Sequence, residues 1–136
     1  MPRYGKTSDS IALISVAQNL TANWVDLGGE ISTANVQHIG VYINLDINDS
    51  NNARVRLLAK HTSAGADEYT LPIRTVSASV VSVEGEYIEF NVDADQKVIL
   101  EFTLDGVVPF CQIQVQAGTV GATAGQIDGA HYVLGY

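Results

Sequence analysis

Apolar and polar side chains alternate along most of this chain. Val41, Ile43, Leu45 and Ile47 occupy every second position, with Tyr42, Asn44, Asp46 and Asn48 between them. A period of two over eight residues predicts a strand with one face buried and the other wet. Ala53, Val55, Leu57 and Ala59 repeat the pattern against Arg54, Arg56, Leu58 and Lys60. Asp49, Ser50, Asn51 and Asn52 supply turn chemistry between the two runs, which together read as a hairpin. Farther on, Tyr69, Leu71 and Ile73 form a short strand whose Pro72 points to a sheet edge, since proline donates no ladder hydrogen bond. Residues 76–83 are β-branched and serine-rich. Ile88, Phe90 and Val92 alternate next, followed by Val98, Leu100, Phe102 and Leu104. From Phe110 to Ala117, Cys111, Ile113 and Val115 face one way and Gln112, Gln114 and Gln116 the other.

The first third is less regular. Leu13, Val16, Ala17 and Leu20 fit helical spacing, while Ile11, Leu13 and Ser15 alternate as in a strand. The strand is favoured, because nothing else in the chain offers a helical layer to pack on. Trp24 to Leu27 is a further short strand, closed by Gly28 and Gly29. These runs amount to eight or nine strands without a crossover helix, which predicts an all-β antiparallel β-sandwich, jelly-roll or immunoglobulin-like, with a closed barrel as the alternative. The chain divides into an N-terminal arm (1–10), a sandwich (11–117) and a glycine-rich C-terminal segment (118–136). That last segment ends in apolar and aromatic residues, His131 to Tyr136, and reads either as a final strand or as an arm reaching a neighbouring subunit.

Composition narrows the function classes. The 136 residues carry 7 Lys and Arg against 15 Asp and Glu, a net charge of −8. Clustered basic residues, which phosphate neutralisation needs, are missing, so nucleic acid is not an expected partner. The same balance disfavours an anionic membrane surface, and no apolar run approaches the ~18 residues of a spanning helix. Arg3 and Lys6 precede the apolar stretch from Ile11 to Ala17 in the manner of a signal peptide, but Asp9 interrupts the approach and the stretch is short. A single cysteine rules out an intramolecular disulfide and a multi-cysteine zinc site. Only 16% of residues are charged, against about 25% for an average domain, and mean hydropathy is +0.12. A surface so poor in charge is expected to meet other protein surfaces.

No motif names a reaction. His38, His61 and His131 stand at no ligand spacing, and the acidic run from Asp46 has Asn51 and Leu57 where a calcium loop needs Gly and Glu. Asp93 and Asp95 flank another turn. Cys111 is in phase with the core row, as a buried thiol would be. We therefore expect no catalytic residue, cofactor or metal. Outward-phase Tyr42 and Tyr87, with Trp24, are candidate aromatic platforms for a sugar, with Asn44, Asp46 and Asn91 as hydrogen-bonding neighbours. The same residue types favour protein interfaces. Tyr4, Trp24, Tyr42, Tyr87, Tyr132 and Tyr136 are the candidate partner or oligomer contacts.

Leu20-Thr21-Ala22-Asn23-Trp24-Val25-Asp26-Leu27-Gly28-Gly29 and Gln112-Ile113-Gln114-Val115-Gln116-Ala117-Gly118-Thr119-Val120-Gly121 give the chain a resemblance to small bacteriophage virion proteins, of the capsid decoration (cement) kind or a related head or tail accessory protein. The resemblance is one of overall style across about residues 10–136. It implies a non-enzymatic, virion-located homo-oligomer, a trimer by preference, bound to the major capsid or another virion protein. A cement protein acts by binding the assembled lattice in preference to its free subunits. A carbohydrate-binding β-sandwich module is the alternative expectation.

Overall fold

In the computed structural model the described residues are 6–46, 52–71, 74–75, 80–83, 87–91, 96–104, 107–118 and 125–136. They form thirteen strands in two antiparallel sheets, with no helix among them. The first sheet is built on β5 (His38–Asp46), flanked by β11 (Gln96–Thr103) and β13 (Gln126–Gly135). β1 (Ile11–Ala12) and β2 (Gln18–Asn19) both pair with β13, and β8 (Arg74–Thr75) pairs with β11. The second sheet is built on β6 (Asn52–Lys60), flanked by β12 (Phe110–Ala117) and β10 (Ile88–Asn91). β3 (Val25–Asp26) and β4 (Ile31–Ser32) extend it at β12. β7 (Tyr69–Thr70) also lies along β6, and β9 (Val80–Val83) along β10.

This order is a jelly roll. With β1 and β2 taken as one broken strand, and β3 and β4 as another, the sheets run 1/2–13–5–11 and 3/4–12–6–10. The chain changes sheet at every step between these strands except from β6 to β10, which is the double Greek-key weave rather than the immunoglobulin pattern. One expectation is overturned: β5 and β6 form no hairpin but lie in opposite sheets. Alternation decides which side chains turn inward, and both strands obey it. Their inner rows meet across the core, however, and each strand takes its hydrogen-bonding partners from later in the chain, β5 from β11 and β13 and β6 from β7, β10 and β12. The strand count also exceeds eight or nine, because β1 to β4, β7 and β8 are two residues each, too short for a period of two to be counted. Ile47, Asn48, Ile73, Val92, Asp93 and Asp95 lie outside the described residues, as do residues 76–79 and 119–124.

The core is the overlap of the two inner rows. Ile39, Val41, Ile43 and Leu45 of β5, with Val98, Leu100 and Phe102 of β11, pack with Val55, Leu57, Ile88, Phe90, Ile113 and Val115 of the other sheet, all buried. Cys111 is buried in the same row. Thr33 and Gln112 are the buried polar side chains among the described residues, and both are satisfied. The Thr33 hydroxyl donates to the Val108 carbonyl and lies 3.8 Å from the Cys111 sulfur. The Gln112 amide donates to the carbonyls of Gly28 and Ile113 at 3.0 and 3.2 Å. Gly28 is needed where it stands: its φ is +74°, and a Cβ there would sit 2.5 Å from the Leu13 carbonyl oxygen.

Both ends of the described chain are sewn together. Tyr136 N–H donates to the Lys6 carbonyl and Ser8 N–H to the Leu134 carbonyl, both at 2.9 Å. The Ser8 hydroxyl accepts from Leu134 N–H. The segment beginning at Gln126 is a strand of this chain's own sheet, paired with β5 along its length apart from a bulge between Ile127 and Gly129. Truncating Phe102, fully buried on the strand beside β5, should lower the unfolding free energy by about 3–5 kcal/mol in Phe102→Ala, read as a reduced urea midpoint at unchanged slope.

Candidate functional site: two opposed sheet faces

The jelly roll turns two outer faces to solvent, and they differ in kind. On the second sheet the outward positions of β6, β10 and β12 bring together Arg54, Arg56, Glu89, Gln112, Gln114 and Gln116 in register. Apart from Gln112, whose amide turns to backbone carbonyls, their side chains form a cross-strand ladder. Arg54 Nε donates to Glu89 and its Nη1 to Gln116 Oε1 at 3.1 Å. Arg56 holds Gln114 Oε1 through Nε and Nη2, at 2.9 and 2.6 Å. The Gln114 amide passes on to Asp26 Oδ1 at 2.8 Å, and that of Gln116 to the Ala22 carbonyl at 2.8 Å. The bond to Glu89 pushes the Arg54 guanidinium above its ordinary pKa.

Trp24 and Tyr87 flank this ladder, with ring centroids 5.8 Å apart and planes tilted by 58°. The Arg56 guanidinium lies 4.2 Å from the Trp24 ring centre, and that of Arg54 lies 5.3 Å from the Tyr87 ring centre. Both rings are half-buried. The pair was foreseeable only in part. Outward phase marked Tyr87 and the two arginines alike, but that they stack depends on which strands lie beside β6.

Tyr42 does not join them. It projects from the outer face of the first sheet, on the opposite side of the sandwich, and is 46% exposed. The three aromatics expected as one platform are therefore divided between two faces, because β5 and β6 belong to different sheets. Asn44 accompanies Tyr42 on that far face. Around Tyr42, Ile99 (38% exposed), Val133, Glu101, His38 and Thr7 wall a groove of about 300 Å³ over Gly40 and Gly135. His38 Nδ1 lies 3.2 Å from Glu101 Oε1 and 3.4 Å from the Thr103 hydroxyl.

Tyr132 is on the core side of β13, opposite Val41, and half-buried against the core. Burial raises its phenol pKa, and the nearby Tyr136 phenol adds to the rise. Tyr136 itself is 37% exposed at the chain end. Tyr4 lies outside the described residues. A larger recess of about 800 Å³ opens at one end of the sandwich between Thr33–His38 and Thr103, Leu104 and Val107–Pro109, and His38 is the ionisable side chain in it. Among the described residues no group of three His, Cys, Asp or Glu side chains is placed to hold a metal ion.

No protein-family model matches the sequence, and no curated protein sequence does either. The fold has clear counterparts among solved structures. The SPBc2 prophage-derived protein YomS superposes with a TM-score of 0.55 at 11% identity, covering 95% of this chain and 92% of its own. A carbohydrate-binding module of Cellvibrio mixtus lichenase 5A, solved with cellotriose, aligns at a TM-score of 0.46 and 6% identity, over 95% and 89% of the two chains. The infectious bursal disease virus VP2 particle protein gives 0.44 and 11%, with 98% of this chain against 34% of that one. The likeness to YomS is one of fold, over nearly the whole of both chains.

Two predictions follow from the site geometry. Trp24 is the single tryptophan, so its fluorescence reports on this face alone. Arg56→Ala should shift its emission to the red and remove about 0.5–2 kcal/mol of stability, the range of a cation–π contact, as read in urea melts. The second concerns the core thiol. Burial holds Cys111 protonated up to a pKa of about 11, whereas an unfolded thiol ionises from about 8.5. The unfolded state then binds fewer protons, so this residue's contribution to stability falls as pH rises from roughly 8.5 towards 11, at up to about 1.4 kcal/mol per unit. Urea midpoints of the native chain should drop more steeply over that window than those of Cys111→Ala.

Proposed function

We propose that this protein is a non-enzymatic structural component of a phage particle, a small homo-oligomer that binds and stabilises the capsid lattice as a decoration protein. The observation that carries the reading is the outer face of the first sheet. Tyr42, Ile99 and Val133 stand exposed or half-exposed on the central strands of a rigid sandwich. Apolar side chains on such a framework form a contact surface that loses little conformational entropy on docking. The low charge content works in the same direction, since depletion of charge characterises interface cores. A prophage-derived protein has this fold over nearly its whole length, and the sequence has the style of small virion proteins. Decoration then rests on differential affinity, with the lattice presenting a surface that free subunits lack.

A second reading draws on the other face. Trp24 and Tyr87, bridged by Arg54 and Arg56 and edged by Gln114, Gln116 and Glu89, combine rings with fixed hydrogen-bonding groups. That combination suits a sugar. The two readings separate in one experiment. Particles induced from the genome that encodes the chain should carry it at a fixed copy number per capsid, quantified by mass spectrometry of gradient-purified material. Its absence from particles overturns decoration. Retention on a glycan array that Trp24→Ala abolishes would then put the sugar reading in its place.

A further inference from the structure

The chain ahead of Leu20 is a strap held in place mostly by its backbone. Residues 6–13 run antiparallel along the outer edge of β13, with Thr7 opposite Gly135, Ile11 opposite Tyr132 and Ala12 opposite His131. Leu13 N–H donates to the Ala130 carbonyl at 2.8 Å, while the seam farther out is the one that Lys6 and Ser8 close with Tyr136 and Leu134. The register slips by one residue between Thr7 and Ile11, so the pairing is irregular. Side chains add little. Lys6, Thr7 and residues 9–12 are exposed, Leu13 and Ile14 are partly buried against the core, and none of residues 6–19 is buried outright. A segment with few buried apolar contacts and solvent-exposed hydrogen bonds opens locally, well below the cost of global unfolding.

The strap has an anchor and a hinge. β2 stays fixed, because Leu20 is buried, its N–H donates to the Gly125 carbonyl at 2.7 Å, and the Gln18 amide donates to the Asp26 carbonyl at 2.7 Å. Between β1 and β2 the chain bends through exposed residues 15–17, with Val16 75% exposed. Swinging about this bend would free residues 6–13 and bare the edge of β13, a row of N–H and C=O groups that accepts another strand. The strand that already fits is the same segment of a second copy. Its register is matched, and the Ser8 hydroxyl supplies the acceptor for Leu134 N–H at 2.9 Å. Charge agrees with this choice. Residues 1–19 hold Arg3 and Lys6 against Asp9, in a chain with 7 basic and 15 acidic side chains in all. The strap is thus a basic piece of an acidic molecule, and an identical body attracts it as its own does.

We infer that the strap of residues 6–13 is exchanged between copies of this chain, each strap seated on the β13 of a neighbour. The inference rests on the homo-oligomeric part of the proposed function and names the segment and the edge through which the copies join. Exchange rebuilds contacts that one copy already makes, so it closes in a reciprocal pair or in a ring.

Disulfide trapping in the full chain tests it. The bond from Leu13 N–H to the Ala130 carbonyl makes Ala12 and His131 a non-hydrogen-bonded pair. Such pairs bring Cα atoms to about 4.5 Å, within disulfide reach, and both residues are exposed. Ala12→Cys and His131→Cys are made in separate chains of different tag length, mixed and oxidised; the native Cys111 is buried. Exchange should give a mixed disulfide at least roughly tenfold above an Ile11→Cys control, which points to the other face of the strand. Placed in one chain and oxidised at high dilution, the two cysteines lock the strap onto its own β13. Light scattering should show the native protein as a small multiple of 14.5 kDa and the locked chain as a monomer that regains association on reduction. That recovery separates lost exchange from lost folding. A native chain that is monomeric at roughly 100 μM, where even weak specific pairs form, overturns the inference. So does a mixed disulfide no stronger than the control, or a locked chain that associates as the native one does. No particle enters these assays. An exchanged oligomer absent from particles would sink decoration and leave the exchange standing, and a particle-bound chain without the mixed disulfide would do the reverse.

Discussion

The whole molecule depends on the pairing of β5 with β13. The last strand described in the chain is the inner neighbour of the first long one, and the short N-terminal strands β1 and β2 have β13 as their partner. Without residues 126–135, β5 would lose one complete ladder and the first fifteen or so described residues would have no sheet to join. The backbone groups of Lys6, Ser8, Leu134 and Tyr136 close the same seam. Stability of the first sheet is thus a property of the two chain ends meeting. A weave of this kind, in which nearly every ladder joins residues far apart in sequence, has a high contact order, and folding is correspondingly slow for its size.

Much of this was legible in the alternation. The inner rows of β5, β6, β11 and β12 are the residues that a period of two selects, including Cys111 in phase with Ile113 and Val115. Partner identity was not legible. Residues 49–52 carry turn chemistry that a hairpin would use, yet the flanking strands separate into different sheets, since turn composition marks a change of direction without saying how far the chain travels. β13 stood only as one of two readings, a final strand or an arm, because glycines at 129 and 135 blur its pattern and the bulge at Ile127/Gly129 shifts its phase midway. The candidate aromatics show the consequence. Outward phase was correct for Tyr42 and Tyr87, but their assignment to one face needed the sheet order, which places them on opposite sides.

Those two sides differ in how their side chains are engaged. On the second sheet, the arginines of β6 are engaged by glutamines, a carboxylate and two rings, so the ladder ties β10, β6 and β12 together and extends through Asp26 and Ala22 to the loop at β3. Each link is modest because it is partly solvated, but the planar guanidinium loses little freedom when it stacks and bonds at once. On the first sheet, the corresponding central position is a glycine.

That contrast bears on where the two sheets draw their stability from. A sheet face gains strength from side chains that reach across to their neighbours, and the second sheet takes that gain wherever its arginines and glutamines meet. The first sheet forgoes it at Gly40, although a Cβ there would meet its neighbours only at ordinary contact distance. The cost of leaving it empty falls on the strand that receives two full ladders, where the surrounding pairing is most able to bear it.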